Sequence, residues 1–595
     1  MSPAVDTYVL LRAFAQELAR CGMRAACTSP GSRCTPIVLS LASEPHLRCY
    51  SHVDERCAGF FALGLAKASG LPAAVTCTSG TAAAELLPAV IEAHQARVPL
   101  IILSADRPPE LRENGAGQTI DQGKLYGSAV KWFFEVGTHR ASEQRLRWMR
   151  TLACRAYWTT LEGRPGVVHL NFPLREPLLC EEPLPGDETG RAGFAPYLSR
   201  PAGRLSDGPS QQSLVELASG SRRVVLVAGR YERDRALAGA TADFCAAAGW
   251  PLLADPLSGA RRGEAAVAHY DALLREESFA TRTQPDLVIR IGDLPTSKPL
   301  RAWLAGLRDV AQVSLDPEGV LQDPDSVLSH SLALDPVATL ERLAQAQLMS
   351  DPGWLEQWLA ADRLASQAIR GQLVDSQLSE PALAAELGVS LPASATLFVA
   401  SSMPVRDIES FWPARQDPPR VLCNRGANGI DGTISSAFGA AAAGDGPVLL
   451  LIGDVAFAYD IGGLLAHARC QTNLTIILVN NDGGGIFDFL PVSRAPMALA
   501  EDRYRTHIAT PTGLDFALAA ELYGLAHQRV EDASAFRQAL QRSLEAQGSQ
   551  IIEVNTERPE NEKLHNRVWQ AVREALLTER DDPARGRSGF ETEPA

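Results

Sequence analysis

The chain has 595 residues, 46% hydrophobic and 21% charged, with 56 Lys and Arg against 70 Asp and Glu and a formal net charge of −14. This composition excludes a disordered, collagen-like or small disulfide-scaffold chain, and the length allows three or four domains at roughly 100–200 residues each. The acidic balance argues against broad nucleic-acid binding, while a local basic pocket remains compatible with it.

The chain begins with Asp6, Arg12, Glu17 and Arg20 on a helical pattern, unlike the apolar core of a secretory signal. No apolar run reaches the ~18 residues of a membrane helix. Residues 1–182 then alternate apolar runs with helical patterns. Strands are expected at 24–28, 47–53, 73–77 and 99–104, with helices over 54–69 and from Ser79 to about Ala96. A Pro/Gly-rich stretch, 183–212, reads as a linker. A second α/β segment, 213–350, has its clearest strands at 224–228, 287–291 and 310–315. A polar helical connector, 351–380, leads to a third segment, 381–578, with strands at 396–400, 448–452 and 476–479. Its last helix carries Val568, Ala571, Val572, Ala575 and Leu576, and the tail 579–595 is expected to be disordered. The fold class is therefore α/β, with three α/β domains built on parallel sheets. The eleven cysteines are scattered, with no CxxC pair and no zinc-finger spacing, and read as reduced thiols of a soluble, cytoplasmic protein.

The most informative stretch lies in the third segment. The apolar run 448–452 reads as a strand buried on both faces and ends at Gly453-Asp454. Ile461, Leu464, Leu465 and Ala468 then follow the spacing of one helix face, and the run 476–479 ends at Asn480-Asn481-Asp482-Gly483. Right-handed crossover of such a βαβ unit sets both strand ends on one edge, where open α/β sheets bind ligands. Asp454 and Asn481 can then point oxygen atoms at one spot, and Gly483 can turn its carbonyl toward it. A carboxylate, an amide oxygen and a carbonyl make a hard site suited to Mg²⁺ (or Mn²⁺), which completes its shell with water and phosphate oxygens. Either half alone reads as an ordinary turn after a strand; the pair at this spacing favours the metal.

This stretch resembles the thiamine diphosphate motif, which begins Gly-Asp-Gly and ends Asn-Asn about thirty residues on; here Val455 stands at the third position. Further stretches narrow the resemblance: Ser29-Pro30-Gly31-Ser32-Arg33, His52 to Arg56, Ala105 to Leu111, Gly115 to Ile120, Ser401 to Asp407 and Asn424 to Gly432. From about residue 5 to 575, in the same order, they are similar to the 2-succinyl-5-enolpyruvyl-6-hydroxy-3-cyclohexene-1-carboxylate (SEPHCHC) synthase family. The resemblance implies a thiamine diphosphate-binding fold with pyrimidine-binding, central and diphosphate-binding domains. It implies decarboxylation of 2-oxoglutarate and 1,4-addition of the remaining four-carbon unit to isochorismate, in menaquinone or phylloquinone biosynthesis. It also implies a homodimer or homotetramer, because the cofactor of this superfamily sits between two domains, usually of different subunits.

Residue by residue, the resemblance makes Glu55 the carboxyl that activates the cofactor, although an acidic residue at a helix start is also ordinary dipole chemistry. It puts Asp454, Asn481 and Gly483 on the metal. Ser402, Ile430, Ile486 and Phe487 are implied around the cofactor, with Ile430 beneath its bent rings. Ser32, Arg33, Arg107, Gln118, Lys298, Arg406 and Arg425 are implied for the substrates. The chemistry agrees, since both substrates are dicarboxylates and the arginine fork binds carboxylates bidentately. Two other readings stand beside it. One is a different 2-oxo acid decarboxylase or acetohydroxyacid-synthase-like enzyme of the same fold, against which residues 222–330 lack a Gly-x-Gly-x-x-Gly. The other is a scaffold protein that keeps the fold, against which both Glu55 and Asp454 are present.

Overall fold

The computed structural model describes residues 2–199, 208–232, 234–373, 378–444 and 446–581. Three parallel sheets follow one another along the chain. The first holds β1 (Ala25–Thr28), β2 (Arg48–Ser51), β3 (Ala73–Cys77), β4 (Leu100–Asp106), β5 (Trp132–Glu135) and β6 (Val167–Pro173), in the order β2-β1-β3-β4-β6-β5. The second holds β7 (Val224–Ala228), β8 (Leu252–Ala254), β9 (Leu287–Ile291), β10 (Ala311–Leu315) and β11 (His330–Leu332), in the order β11-β10-β9-β7-β8. The third holds β12 (Thr396–Val399), β13 (Arg420–Cys423), β14 (Val448–Gly453), β15 (Thr475–Asn480), β16 (Ala526–Val530) and β17 (Gln550–Asn555), in the order β13-β12-β14-β15-β17-β16. Numbered within their own sheets, the first and third have the same strand order. The central strands β3, β4 and β6 are buried at every position, as continuous apolar runs covered by helices on both faces should be.

The helices needed below are α1 (Pro3–Cys21), α2 (Glu55–Ser69), α3 (Leu87–Ala96), α4 (Glu143–Leu161), α5 (Lys298–Gly306), α6 (Trp354–Gln372), α7 (Glu380–Ser390), α8 (Met403–Phe411), α9 (Thr433–Ala442), α10 (Asp454–Tyr459) and α11 (Arg558–Asp581). The first and third units lock together where α2 crosses α9. A Cβ on Gly64 would sit 1.8 Å from the Ser436 carbonyl oxygen, and one on Gly439 would sit 2.0 Å from that of Phe61. Glycine on both helices therefore sets the approach, and Phe60, Phe61 and Phe438 fill one shared core around it. In α11, Val568, Val572 and Leu576 form the buried stripe expected from their spacing.

Two stretches differ from, or add to, the sequence expectation. The single helix expected to present Ile461, Leu464, Leu465 and Ala468 on one face is broken into α10, a 3₁₀ turn at Ile461–Leu464 and a short helix at Leu465–Cys470. Buried Asp460 ends α10 and accepts from the Ser435 amide at 2.8 Å, and the chain turns there, so Leu464, Ala466 and Cys470 face inward while Leu465 is exposed. The Pro/Gly-rich stretch after β6 packs back on the first unit before residue 200. Asp187 pairs at 2.7 Å with Arg150 of α4, and the Arg12 guanidinium donates to the Pro185 carbonyl at 2.5 Å. Residues 200–207 of that stretch, and the expected tail from residue 582, lie outside the described residues.

Candidate active site

The carboxyl edge of the third sheet carries the first cluster. Register pairs Gly453 of β14 with Val479 of β15, so Asp454 and the Asn480-Asn481 turn leave adjacent strands side by side. Asp454 opens α10, is 2% exposed, and accepts from the Gly483 amide at 2.7 Å through Oδ2. Burial pushes its carboxyl up to about 6, against the pull of that bond and other backbone amides. Gly483 has φ +134, and a Cβ there would meet the Ala509 carbonyl oxygen at 2.6 Å, so only glycine makes this turn. Its carbonyl accepts from the Gly485 amide at 2.9 Å. Asn481 donates through Nδ2 at 2.8 Å to Glu380 Oε1, and its Oδ1 is buried without a partner among the described residues. A buried carboxylate and an orphaned amide oxygen beside a glycine turn are what a small divalent cation with oxygen ligands would satisfy, so the residues present fit Mg²⁺ or Mn²⁺.

A cleft opens over this cluster. Ser402, Ile430, Ile486 and Phe487 line it with Asp454, Asn481 and Gly483, so the structure brings together all the third-sheet residues expected around a cofactor. Ser402 joins β12 to α8 in a left-handed conformation, φ +77, and its carbonyl accepts from the Arg406 guanidinium. A second, more polar cleft adjoins the first at the Ser402–Asp407 turn and is lined by Lys298, Arg406, Arg425 and Asn428. Lys298 starts α5. Arg406 is depressed below the usual guanidinium range, mainly by burial and then by Arg425, which places the two cations as neighbours. The Arg425 loop is held from the first unit, where Glu92 of α3 accepts from the Gly426 and Ala427 amides at 2.8 and 2.6 Å.

The remaining expected residues gather on the equivalent edge of the first sheet. Glu55 is the first residue of α2, capped by Asp54, whose Oδ1 accepts from the Cys57 amide at 3.2 Å. Burial raises the Glu55 carboxyl above the usual glutamate range. Arg107 follows β4 and donates to the Ser79 hydroxyl; Gln118, at φ +57, donates through Nε2 to the Ser79 carbonyl at 3.0 Å. Arg33 is buried, donates to the Leu174 carbonyl at 2.9 Å and lies 3.3 Å from Glu176, leaving its Nε unpartnered. Its charge helps lower Arg107, after burial, so these two guanidiniums are also neighbours. Ser32 is exposed on the turn before them. Glu55 lines neither of the two clefts above. One chain thus displays two clusters of expected residues, one on each outer sheet.

Residues 10–125 match the family model of the N-terminal TPP binding domain of thiamine pyrophosphate enzymes, thiamine pyrophosphate being another name for thiamine diphosphate. Residues 195–399 match the middle domain and 405–554 the C-terminal TPP binding domain. The chain is 40% identical over 574 residues to a 2-succinyl-5-enolpyruvyl-6-hydroxy-3-cyclohexene-1-carboxylate synthase of Listeria monocytogenes, covering 95% of this chain and 97% of that one. It is 41% identical to the synthase of the same name from Geobacillus kaustophilus, covering 96% and 98%. With the synthase of Chloroflexus aurantiacus the identity is 41%, over 95% and 96%. The chain belongs to the SEPHCHC synthase family. The first match covers β1 to β4, the middle match the second sheet and β12, and the last runs from α8 into β17, so the two thiamine-binding matches fall on the two outer units.

Residues that sequence reasoning passed over also belong to the site. Glu380, at the start of α7, is 5% exposed and accepts from Asn481 and, at 3.0 Å, from the Thr556 hydroxyl. Burial, and then the charge of Asp407, raise its carboxyl. Asp407 is in turn bonded at 2.9 Å to His565 of α11. In sequence Glu380 reads only as an acidic helix start after the capping Ser379.

Proposed function

We propose that the protein is a SEPHCHC synthase: a transferase that decarboxylates 2-oxoglutarate and adds the remaining four-carbon unit to isochorismate, using thiamine diphosphate and Mg²⁺ or Mn²⁺. Its product would enter menaquinone or phylloquinone biosynthesis. The observation that carries this reading is the neighbouring pair of clefts. One offers a metal-ready oxygen cluster under apolar walls, and the next offers Lys298, Arg406 and Arg425 to anionic substrates. Asp454, Asn481 and the turn at Gly483 would hold the metal. Ile430, Ile486, Phe487 and Ser402 would wall the cofactor. When bound, thiamine diphosphate supplies the electron sink that lets a 2-oxo acid lose CO₂.

The chain's own residues account for the rest. Clustered guanidiniums bind carboxylates as planar forks and orient two anionic substrates against each other. Apolar walls exclude water, which would otherwise protonate the donor before it meets the acceptor. Glu55, raised by burial, keeps a proton on its carboxyl to higher pH than an exposed glutamate, as suits a group that shares a proton with a neutral ring nitrogen. Because Glu55 lines neither cleft, we assign the complete site to two copies of the chain. The first sheet of one copy would supply Glu55, Arg33, Arg107, Gln118 and Ser32 to the third-sheet clefts of the other. The assembly would be a homodimer or a homotetramer built from such pairs. We further read the chain as a cytoplasmic protein divided at 1–182, 213–350 and 381–578; no described helix is long and apolar enough to cross a membrane.

The test is direct. Purified protein with thiamine diphosphate, Mg²⁺, 2-oxoglutarate and isochorismate should consume isochorismate and release CO₂ in equal amounts. Turnover with pyruvate or another acceptor, and none with isochorismate, would favour the acetohydroxyacid-synthase-like reading.

A further inference from the structure

We infer that Glu380 is a positioning residue that decides which face of the Asn481 amide meets the metal. The inference rests on the reading of Asp454 and Asn481 as metal ligands. Both hydrogen bonds that Glu380 accepts come to one oxygen, Oε1: from Asn481 Nδ2 at 2.8 Å and from the Thr556 hydroxyl at 3.0 Å. That oxygen is therefore an acceptor whether or not the other carries a proton. An amide facing an acceptor must present its NH₂, which turns its carbonyl oxygen the opposite way. The oxygen so directed, Asn481 Oδ1, is buried with no partner among the described residues.

Turning the amide over would set two acceptors against each other at 2.8 Å and bring an NH₂ beside the proposed metal position. Both changes cost free energy, so Glu380 and a bound cation would select the same orientation. The anchoring is tight. Thr556 follows β17 and its amide donates at 3.0 Å to Asn480 of β15, so Glu380 receives one donor from each of two adjacent strand ends. Glu380 itself is fixed at the start of α7, where Ser379 caps the helix. A glycine at 485 leaves room for the amide, since a Cβ there would sit 3.0 Å from Asn481 Nδ2. Outer partners of this kind orient metal ligands, and their loss commonly weakens metal binding ~10–100-fold.

The experiment titrates Mn²⁺ into the full-length protein saturated with thiamine diphosphate and reads free Mn²⁺ by electron paramagnetic resonance. Asn481→Ala should weaken Mn²⁺ binding; unchanged binding there would overturn the metal-site reading itself. Glu380→Leu should weaken it by about tenfold or more. Glu380→Gln keeps an acceptor oxygen in place and should stay within a few-fold of wild type, a rescue that loss of packing alone would not produce. Combined with Asn481→Ala, Glu380→Leu should add little, because its effect passes through that amide. Glu380→Ala serves in the same cycle should the leucine variant not fold. Wild-type Mn²⁺ affinity in Glu380→Leu or Glu380→Ala, or losses that simply add to that of Asn481→Ala, would overturn the assignment of Glu380 while leaving the metal site standing.

Discussion

At the carboxyl edge of the first sheet stand Glu55, Arg33, Arg107 and Gln118; at the same edge of the third stand Asp454, Asn481 and a glycine turn, with Arg406 and Arg425 beside them. Both sheets run in the same strand order, and both present a pair of neighbouring guanidiniums. They differ in the groups that accompany the arginines. The first sheet offers Glu55, a half-buried carboxyl on a helix N-terminus that burial raises. The third offers a buried carboxylate and an unpartnered amide oxygen, suited to hold a cation. One topology thus presents different chemical groups in the two units, because open parallel sheets deliver loops to one edge whatever those loops contain. The contact between α2 and α9 packs the two units of one chain closely together, and Glu55 still lines neither cleft.

The strongest way to break the comparison is to silence the proton-holding half alone. Glu55→Gln keeps size and hydrogen bonding but cannot share a proton as a carboxyl does. Turnover should fall ~10²–10⁴-fold, the usual contribution of a positioned acid–base group. Thiamine diphosphate binding should stay near normal, and exchange of the cofactor's C2 proton with deuterated water should slow in parallel. An unchanged exchange rate would make Glu55 a helix-start residue and nothing more. The opposite pattern is expected from the third sheet. Asp454→Ala removes the one formal charge among the proposed ligands, so metal-dependent cofactor binding measured by calorimetry should weaken ~10–100-fold.

The buried histidines of the first unit and Asp460 of the third should answer pH in opposite senses. Burial depresses His52, at the end of β2, to about 4 and His169, within β6, to about 3. Between those values and the ordinary ~6.5 the unfolded chain binds more protons, so the first unit loses stability as pH falls through that window. Each histidine contributes about 1.4 kcal/mol per pH unit there. In the third unit burial raises Asp460 to about 6, so the folded state holds the extra proton, and stability is lost as pH rises from ~4 toward that value. Amide exchange corrected for intrinsic rates should show β6 less protected at pH 5 than at pH 7, with β14 unchanged or better protected. His169→Gln should remove much of the acid sensitivity of β6. Equal acid responses in the two strands would show that the units do not open separately.

Much of this was legible in the chain. Buried parallel strands are continuous apolar runs, so residues 224–228 and 287–291 coincide with β7 and β9 to the residue, and Gly453-Asp454 and Asn480-Asn481 mark the ends of the adjacent strands β14 and β15. What escaped depended on partners distant in sequence. Glu380 takes its meaning from an amide 101 positions later. The helix pattern at 461–468 fails because Asp460, an ordinary polar residue in sequence, is buried to cap Ser435 and breaks the periodicity. The resemblance implies Arg33 for substrate, and only the fold reveals that part of its guanidinium goes to the Leu174 carbonyl and Glu176. Helical and strand periodicity carry no information about such pairings.

The smallest effect is the one that most sharpens the comparison, because it asks whether the two half-sites meet between chains. Glu55→Gln chains lack only the first half-site, and Asp454→Ala chains lack only the third. If each complete site takes one half from each copy, a mixed pair of these variants has one site with both halves intact and one with both damaged. Random exchange in an equal mixture makes half of all pairs mixed, so about a quarter of the sites should be whole and activity should recover to about a quarter of wild type. Were both halves drawn from the same chain, every site in the mixture would carry one lesion and no recovery could occur. The assay needs only two nearly inactive proteins, a mild denaturation and refolding step to exchange subunits, and the isochorismate readout. Recovery toward a quarter places Glu55 opposite the metal of a second copy; its absence, with exchange verified by mass-tagged chains, returns the whole site to a single chain.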